Sequence, residues 1–405
     1  MDLEAGFRRG PAPAPMLTDS EPALVERIRA EIAADGPITF ARFMELALYD
    51  PELGYYRVAA ERAGRGGDFL TAPETHPIFG AAIARQLDEI WRRLGQPARF
   101  VLREYGAGSG ALAVAILDAL AGRGRLGQVA ASPGLAAAIR YVPVEVNPHR
   151  RAELVDRIAA TGSGASLELE LEADQPEVGA VVANEFLDAL PVHRVLGGGG
   201  GELAELFVDW DGTGFVEQPR APSTPAIAER LAAEGIALAD GARAEVCLEL
   251  DGWIGKVAAG LTRGAVLVVD YGHLAAELYG PARAAGTLLA YSRQRVHDDW
   301  SRAVGRQDLT AHVDFSALDH AARAAGLAPL GMTTQAEFLV GAGLDELLEA
   351  IRSDSSTTME EWLAVRSAVA RLLDPRAMGG FKVSLLGRGV AGDPPLIGLG
   401  FRLKT

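Results

Sequence analysis

Short apolar runs alternate with amphipathic stretches through the middle of the chain, and this alternation predicts a sheet covered by helices. Each run is continuously apolar and bounded by polar or glycine residues, as expected of strands buried on both faces. The predicted strands are residues 100–102, 140–146, 166–171, 178–183 and 265–269. Because helical stretches separate them, the chain is predicted to form a doubly wound α/β sheet of the Rossmann-like class.

The N-terminal region has helical periodicity instead. Apolar residues recur at helical spacing in residues 21–34, and further helices are predicted over residues 39–48 and 76–94. Residues 21–95 are therefore expected to form a helical lobe, preceded by a disordered, Pro/Ala-rich leader at residues 1–20.

The remainder, residues 96–405, is predicted to be one domain with two insertions. Strand-like runs separated by glycine turns predict a small antiparallel insertion at about residues 192–245, and a second insertion is expected at about residues 275–313. The closing elements are predicted to be a helix over residues 315–325, capped by Asp314, and strands over residues 381–386 and 396–403.

A glycine-rich corner follows the first predicted strand. Gly106, Gly108 and Gly110 stand at alternate positions before the apolar, helix-forming residues 111–122. Glycine lets the backbone turn tightly and lets a ligand touch it without a Cβ in the way, and the helix N-terminus offers free N–H groups. The strand, the turn with Ala107 inside it, and the helix together predict a nucleotide-binding corner.

Acids at the strand ends favour S-adenosylmethionine over a nicotinamide cofactor. The glycines also satisfy the dinucleotide pattern G-x-G-x-x-G/A, but Glu145 comes 39 residues after Gly106, against about 20 in dinucleotide folds. Glu145, with Val146 beside it, is placed to hold both ribose hydroxyls. Glu104, just before the turn, can orient the loop and meet the charged amino-acid end of the cofactor.

The composition excludes several classes of ligand and partner. A net charge of −15 argues against a nucleic-acid ligand and is compatible with a basic protein partner. The lone Cys247 excludes internal disulfides and cysteine-rich zinc sites, and the spacing of histidines and acids predicts no metal. The apolar runs are too short to insert in a membrane, and the N-terminus lacks a signal peptide, so a cytoplasmic location is expected.

Eight segments, in order, resemble the MidA family of S-adenosylmethionine-dependent methyltransferases. They are ITFARFMELALYDPELGYY, GRGGDFLTAPE, EYGAGSG, VEVNP, ANEFLDALPV, VVDYGH, DLTAHVDF and, more loosely, GGFKVSLL. The resemblance implies a class I methyltransferase fold. From the mitochondrial member, which methylates an arginine of a respiratory complex I subunit, it implies a protein arginine as the acceptor. It also implies that Gly67, Asp68 and Thr71 cover the amino-acid end of the cofactor.

Asn184 and Glu185 end a predicted strand at the sheet edge where ligands bind in open α/β folds. A carboxylate can hold a guanidinium through two parallel hydrogen bonds and help it lose a proton, so this pair is the catalytic candidate. Asp188, Asp270 and His312 are candidates for the substrate channel. The structural alternatives are that Asn184 and Glu185 shape the loop before a helix, that Asp188 is a helix-surface acid, and that Asp270 belongs to a strand-end turn. For His312 the expected role is in the wall of the pocket.

Two rival functions stay open at this point. One is a small-molecule O- or N-methyltransferase, which would need a closed apolar pocket beside Glu185 rather than an acidic groove. The other is a cofactor-binding assembly factor whose catalysis is dispensable. The oligomeric state, a homodimer included, and the symmetry of any methylation are not determined by the sequence.

Overall fold

The computed structural model describes residues 19–58, 71–161, 166–168, 176–292 and 295–403. In chain order, its strands are β1 (Ile38–Thr39), β2 (Phe100–Tyr105), β3 (Ile139–Val144), β4 (Ser166–Leu167), β5 (Glu177–Asn184), β6 (His193–Gly197), β7 (Leu203–Trp210), β8 (Phe215–Arg220), β9 (Arg243–Val246), β10 (Leu261–Asp270), β11 (Gly272–His273), β12 (Leu289–Ser292), β13 (Arg295–His297), β14 (Asp308–Thr310), β15 (Val313–Asp314), β16 (Ala328–Thr334) and β17 (Lys382–Arg388).

Helices connect and cover these strands. They are α1 (Pro22–Asp35), α2 (Phe40–Tyr49), α3 (Tyr55–Val58), α4 (Ala72–Thr75), α5 (Ile78–Arg93), α6 (Ala111–Leu120), α7 (Gly124–Ala130), α8 (Pro133–Ala138), α9 (Pro148–Thr161), α10 (Ala226–Ala233), α11 (Glu249–Ala259), α12 (Ala275–Leu278), α13 (Phe315–Ala324), α14 (Gln335–Gly341), α15 (Leu344–Ser353) and α16 (Met359–Leu373).

The central sheet has the order β4-β3-β2-β5-β10-β17-β16. Strands β4 to β10 of this order are parallel, whereas β17 runs antiparallel to β10 and β16 runs antiparallel to β17. Helices cover both faces, which explains why the parallel strands are continuously apolar rather than alternating. The predicted doubly wound α/β fold is confirmed.

Two sets of helices enclose the sheet. α5 and α6 pack on one face, where Ile83 and Ile116 share a core with Leu102. α11 and α13 pack on the other face, where Ile254 shares a core with Val268. Because the strands from β4 to β10 are parallel, their carboxyl ends meet at one edge of the sheet, at which the candidate residues lie.

A second body combines parts of the chain that are far apart in sequence. β7 pairs with β1, β6 and β8, so a strand from the N-terminal region joins the first insertion, whose predicted antiparallel strands are confirmed. Phe40 and Phe43 of α2 pack edge-on against Trp300 of the second insertion. We name the described residues of 19–58, 192–246 and 288–311 the accessory body.

The C-terminal region differs from expectation at two places. The strand predicted over residues 396–403 is wrong: the backbone N–H groups of Ile397 and Gly398 donate to the side chains of Glu89 and Gln86 in α5 instead of to a neighbouring strand. β16 was not predicted, because Pro329 and a bulge after it interrupt the apolar pattern.

The predicted strand at 166–171 is observed at Ser166–Leu167, and residues 169–171 lie outside the described residues.

Candidate active site

The glycine turn joins β2 to α6 through three residues in the left-handed region. The φ angles of Gly106, Gly108 and Gly110 are +66°, +53° and +79°. A Cβ on Gly106 would lie 3.2 Å from Cδ2 of Phe186, and one on Gly110 would lie 3.0 Å from Cγ of Leu154. A Cβ on Gly108 would meet nothing closer than 3.9 Å. The first and third glycines therefore permit close packing of Phe186 and Leu154, whereas Gly108 borders open space. We name the open space beside the glycine turn, residues 106–110, the cradle.

The start of α6 faces this cradle. The N-cap is Gly110, which has no side chain to bond the first N–H groups of the helix. The buried Ala107 holds the turn closed, because its carbonyl accepts the Gly110 N–H at 2.9 Å. The helix N-terminus thus offers donors and a partial positive charge at the edge of the sheet.

Glu145 follows β3 and points toward the glycine turn. Its Oε2 accepts the Gly108 N–H at 2.7 Å, and its Oε1 accepts the Asn147 N–H at 2.7 Å. The Asn147 side chain in turn accepts the N–H groups of His149 and Arg150, which start α9. Each Glu145 oxygen keeps a second acceptor position, so the carboxylate can brace the cradle and still accept hydroxyl donors.

Val146 lies next to this acid and is 44% exposed. Its carbonyl accepts a hydrogen bond from Arg57 Nη1 at 2.6 Å, so α3 of the accessory body reaches the end of β3. Because Val146 directly follows Glu145, its exposed apolar side chain lies beside the cradle.

Glu104 lies inside the fold, with 4% of its surface exposed. Its Oε2 accepts a hydrogen bond from the Tyr141 hydroxyl at 2.6 Å. Burial raises the pKa of Glu104 to about 8, and the nearby Glu145 carboxylate adds to the effect although the Tyr141 bond opposes it. The structure thus places Glu104 beneath the turn, between β2 and β3.

Glu185 follows β5 with φ of +48°, a conformation that costs a non-glycine residue about 1–3 kcal/mol. Its Oε1 accepts the Ala72 N–H at 3.3 Å and the Asn184 side-chain amide at 3.2 Å. Its own N–H donates to the Val269 carbonyl at 2.8 Å. Burial, together with the nearby Asp188 carboxyl, raises the pKa of Glu185 to about 8.

Asp188 is 6% exposed, and its two carboxyl oxygens have different surroundings. Its Oδ2 accepts a hydrogen bond from the Tyr271 hydroxyl, whereas Oδ1 is buried with no hydrogen-bond partner among the described residues. Burial raises the pKa of Asp188 to about 6, and the Tyr271 bond opposes the rise. Asn184 Oδ1 is a second buried acceptor that lacks a partner in the described part of the chain.

Asp270, at the end of β10, is completely buried. Its Oδ2 accepts the N–H groups of Phe186, Leu187 and Asp188 at 3.2, 2.9 and 3.3 Å, and its Oδ1 accepts the Tyr271 N–H at 2.9 Å. The carboxylate therefore fixes the loop that follows Glu185. This arrangement matches the strand-end turn that the sequence left open as an alternative to a channel residue.

His312 lies against Tyr271 and His273, with ring centroids 5.5 and 5.4 Å away. Its Nδ1 is buried and has no partner among the described residues. Burial lowers the pKa of His312 to about 3, so the ring is neutral near pH 7. His312 therefore packs against Tyr271, whose hydroxyl bonds Asp188.

Thr71 is the residue before α4, and its carbonyl accepts the Thr75 N–H at 3.1 Å. The Ala72 N–H, one residue on, donates to Glu185, so this segment lies next to the candidate catalytic acid. Gly67 and Asp68 lie outside the described residues, and the roles predicted for all three stay predictions.

The structure therefore gathers most of the predicted residues at one edge. Phe186 touches Gly106 and directly follows Glu185, which links the cradle to the acidic loop. The sequence placed Tyr271 only within the strand-end segment 270–273 beside the predicted channel, with no role of its own, and it did not identify Glu74, whose carboxylate also raises the pKa of Glu185. Both stand in segments that carried the family resemblance, VVDYGH and GRGGDFLTAPE, which was the available signal.

Within the described ranges, no helix combines the length and hydrophobicity required to cross a bilayer. In the same ranges, histidine, cysteine and acidic side chains form no cluster of three or more that could hold a metal ion.

Comparison with known proteins agrees with this geometry. A model of a family described as S-adenosyl-L-methionine-dependent methyltransferases matches residues 82–333. The chain is 30% identical over 382 residues to the Drosophila melanogaster protein arginine methyltransferase NDUFAF7 homolog, mitochondrial, covering 88% of this chain and 83% of that protein. It is 29% identical to the Danio rerio protein arginine methyltransferase NDUFAF7, mitochondrial, covering 88% and 85%.

A solved structure is similar over almost its whole length. A Burkholderia thailandensis protein crystallised with S-adenosyl-homocysteine is 35% identical and superimposes with a TM-score of 0.81, covering 97% of this chain and 98% of that one.

The comparisons also correct one expectation. The cytoplasmic location predicted from the N-terminus is wrong, because the curated relatives from fly, zebrafish and human are named as mitochondrial proteins.

Proposed function

This chain belongs to the family of S-adenosyl-L-methionine-dependent methyltransferases, and on that premise we propose that it methylates arginine side chains of a protein. The observation that carries the proposal is the acidic loop after β5. There Glu185 stands three residues before Asp188, whose buried Oδ1 has no hydrogen-bond partner in the described part of the chain. A guanidinium is cationic and carries five N–H donors, so it supplies both the charge and the donors that the loop lacks. The curated relatives named as protein arginine methyltransferases support the same acceptor.

The cradle fits the cofactor. We assign its amino-acid end to Glu104, Thr71 and the glycine turn, its ribose to Glu145, and its adenine to the exposed face of Val146. Gly67 and Asp68 keep their predicted covering role. The fit rests on the open space at Gly108 and on Glu145, whose Oε2 bonds the turn and whose two oxygens each accept one hydrogen bond from the described residues, which leaves room for hydroxyl donors. When bound, S-adenosylmethionine supplies an electrophilic methyl group on a sulfonium.

The acceptor side relies on positioning. We assign Glu185 to hold one edge of the guanidinium and to take the proton that the nitrogen loses, and Asn184 to fix the rotamer of Glu185 through the 3.2 Å bond between them. Asp188 offers its free Oδ1 to the same group. Asp270 and His312 act through the loop: Asp270 holds its backbone, and His312 supports Tyr271. Most of the rate then comes from aligning the two reactants.

Arginine-specific chemical blocking tests this function. The enzyme is incubated with tritiated S-adenosylmethionine and a whole-cell extract, either untreated or treated with phenylglyoxal to block arginine side chains. We expect blocking to remove protein label, whereas acetylation of lysines leaves it unchanged. Label that survives arginine blocking, or that appears only in the small-molecule fraction, overturns the proposal and favours another acceptor.

A further inference from the structure

We propose that Glu74 and Arg150 together bind the amino-acid end of S-adenosylmethionine, Glu74 its ammonium group and Arg150 its carboxylate. This inference rests on the cofactor side of the proposed function and adds two residues to it. The amino-acid end of the cofactor is a zwitterion, so it is best held by one anionic and one cationic partner. Glu74 belongs to α4, and Arg150 stands in the first turn of α9.

Arg150 reaches the cradle from the side of α9. Its Nη1 lies 3.9 Å from the position of a Cβ built on Gly108, so the guanidinium borders the open space at that glycine. The backbone beneath it is fixed, because the Asn147 side chain accepts the Arg150 N–H at 3.2 Å. In the described part of the chain, this guanidinium forms no ion pair within 4.0 Å. Its N–H donors are therefore available to a carboxylate that enters the cradle.

The two oxygens of the Glu74 carboxyl have different surroundings. Thr71, the residue before α4, bonds the carboxyl through its backbone and its side chain. Oε2, by contrast, is buried and has no hydrogen-bond partner among the described residues. Burial raises the pKa of Glu74, whereas the Thr71 bonds and the charge of Arg150 favour the ionised form. A buried carboxylate oxygen without a donor is costly, and an ammonium supplies both the donor and the opposite charge.

Glu74 lies between the cradle and the acidic loop. The guanidinium of Arg150, which borders the cradle, lowers the pKa of Glu74, and the carboxylate of Glu74 raises the pKa of Glu185. The Ala72 N–H, two residues before Glu74, donates to Glu185 Oε1 at 3.3 Å. A ligand that extends from the glycine turn toward Glu185 therefore has Glu74 beside it. Because the two carboxylates repel each other, a cationic group next to Glu74 is stabilised there.

Glu104 alone is a weak partner for the ammonium group. Its Oε2 already accepts the Tyr141 hydroxyl at 2.6 Å, and with a pKa of about 8 it carries little negative charge at pH 7. Glu104 can shape the turn from beneath, while the ion pair with the ammonium is made by Glu74. At the other end, a guanidinium holds a carboxylate through two parallel hydrogen bonds, which fix its orientation as well as its charge. The pair therefore predicts a preference for ligands that retain the amino-acid end.

Two variants and a matched control test this assignment. Glu74→Gln removes the charge and keeps an oxygen for the Thr71 bonds, and Arg150→Met keeps an apolar stem and removes the charge. Arg157→Met removes the same charge from the same helix, and Arg157 also acts on the pKa of Glu74, but its Nη2 already bonds Glu153 at 2.8 Å. Binding is measured by calorimetry with S-adenosylhomocysteine, which retains the amino-acid end, and with methylthioadenosine, which lacks it.

We expect Glu74→Gln and Arg150→Met each to lower the affinity for S-adenosylhomocysteine by about 10- to 100-fold and to leave the affinity for methylthioadenosine unchanged. Arg157→Met should match the wild type with both ligands. The assignment is overturned if either variant binds S-adenosylhomocysteine as tightly as Arg157→Met does, or if it loses affinity for both ligands equally. If Glu74→Gln fails to fold, Arg150→Met decides by the same criteria.

Failure of the proposed function is seen separately. No methyl acceptor is present in the calorimetry, so an acceptor other than arginine leaves these binding results unchanged and is detected as wild-type labelling that resists arginine blocking. A wild type that binds neither ligand would instead refute the assignment of the cofactor to the cradle.

Discussion

Replacing Gly108 with alanine should weaken cofactor binding while leaving the fold intact. The residue has φ of +53°, so an alanine there pays the left-handed backbone penalty of about 1–2 kcal/mol in unfolding free energy. Its Cβ would meet no protein atom closer than 3.9 Å, so no packing cost is added. The added methyl instead projects into the cradle, where overpacking costs about 1–3 kcal/mol, or about 5- to 150-fold in affinity.

Two control variants distinguish the effect of backbone strain at positive φ from the effect of a methyl group that enters the cradle. Gly235→Ala has a similar φ of +69° and open space around it, but lies at the end of α10 in the accessory body. It should lose the same stability and no affinity. Gly110→Ala, whose Cβ would lie 3.0 Å from Leu154 Cγ, should lose more stability than either because a packing conflict adds to the strain.

Calorimetry with S-adenosylhomocysteine and urea unfolding of the three variants supply the two measurements. We expect an affinity loss in Gly108→Ala that Gly235→Ala does not share, at comparable unfolding free energies. If Gly108→Ala binds S-adenosylhomocysteine as tightly as Gly235→Ala does, the cofactor does not approach this backbone and the cradle is misassigned.

Three further variants probe the buried acids. Glu185→Gln should lower the rate of methyl transfer by about 10- to 100-fold. In the wild type, kcat/KM should rise with pH as Glu185 ionises with a pKa of about 8, and the variant should lack this rise. An unchanged pH profile in the variant refutes the role of Glu185. Glu104→Gln should remove a pH dependence of stability. Because the folded-state pKa is raised from 4.5 to about 8, the folded state binds the proton more tightly, and the wild type should lose unfolding free energy relative to the variant as pH rises from about 5 to 8. If urea unfolding gives the same difference in unfolding free energy between wild type and variant at both pH values, this expectation is contradicted. Asp270→Asn should cost about 2–4 kcal/mol of unfolding free energy, because both carboxyl oxygens accept backbone N–H groups and the new amide NH2 must face one of these donors. A loss no larger than that of the exposed Asp298→Asn refutes the structural role.

Local sequence patterns were sufficient to predict the geometry of the cradle. The alternate glycines, the strand before them and the helix after them are adjacent in sequence, so their geometry follows from short-range backbone rules. Glu145 could be placed because the ends of neighbouring parallel strands meet at one edge, and it does point at the Gly108 N–H.

The accessory body and the acidic loop depend on contacts that no local pattern contains. Tyr56 meets Asp308 across 252 residues, and β1 pairs with β7 of the insertion, so the accessory body is assembled from separate stretches whose association is decided by tertiary packing. The sequence marked Asp270 as polar at a strand end, but only the structure shows its oxygens occupied by backbone N–H groups.

The most direct test is to locate the transferred methyl group. The wild-type enzyme is incubated with a whole-cell extract and S-adenosylmethionine carrying a deuterated methyl group, and the digested proteins and the small molecules are analysed by mass spectrometry, with Glu185→Gln as the control. We predict heavy methyl groups on arginine residues of a small set of proteins, at much lower occupancy with Glu185→Gln. Heavy methyl on lysine or carboxylate side chains, or confined to small molecules, would contradict arginine as the acceptor.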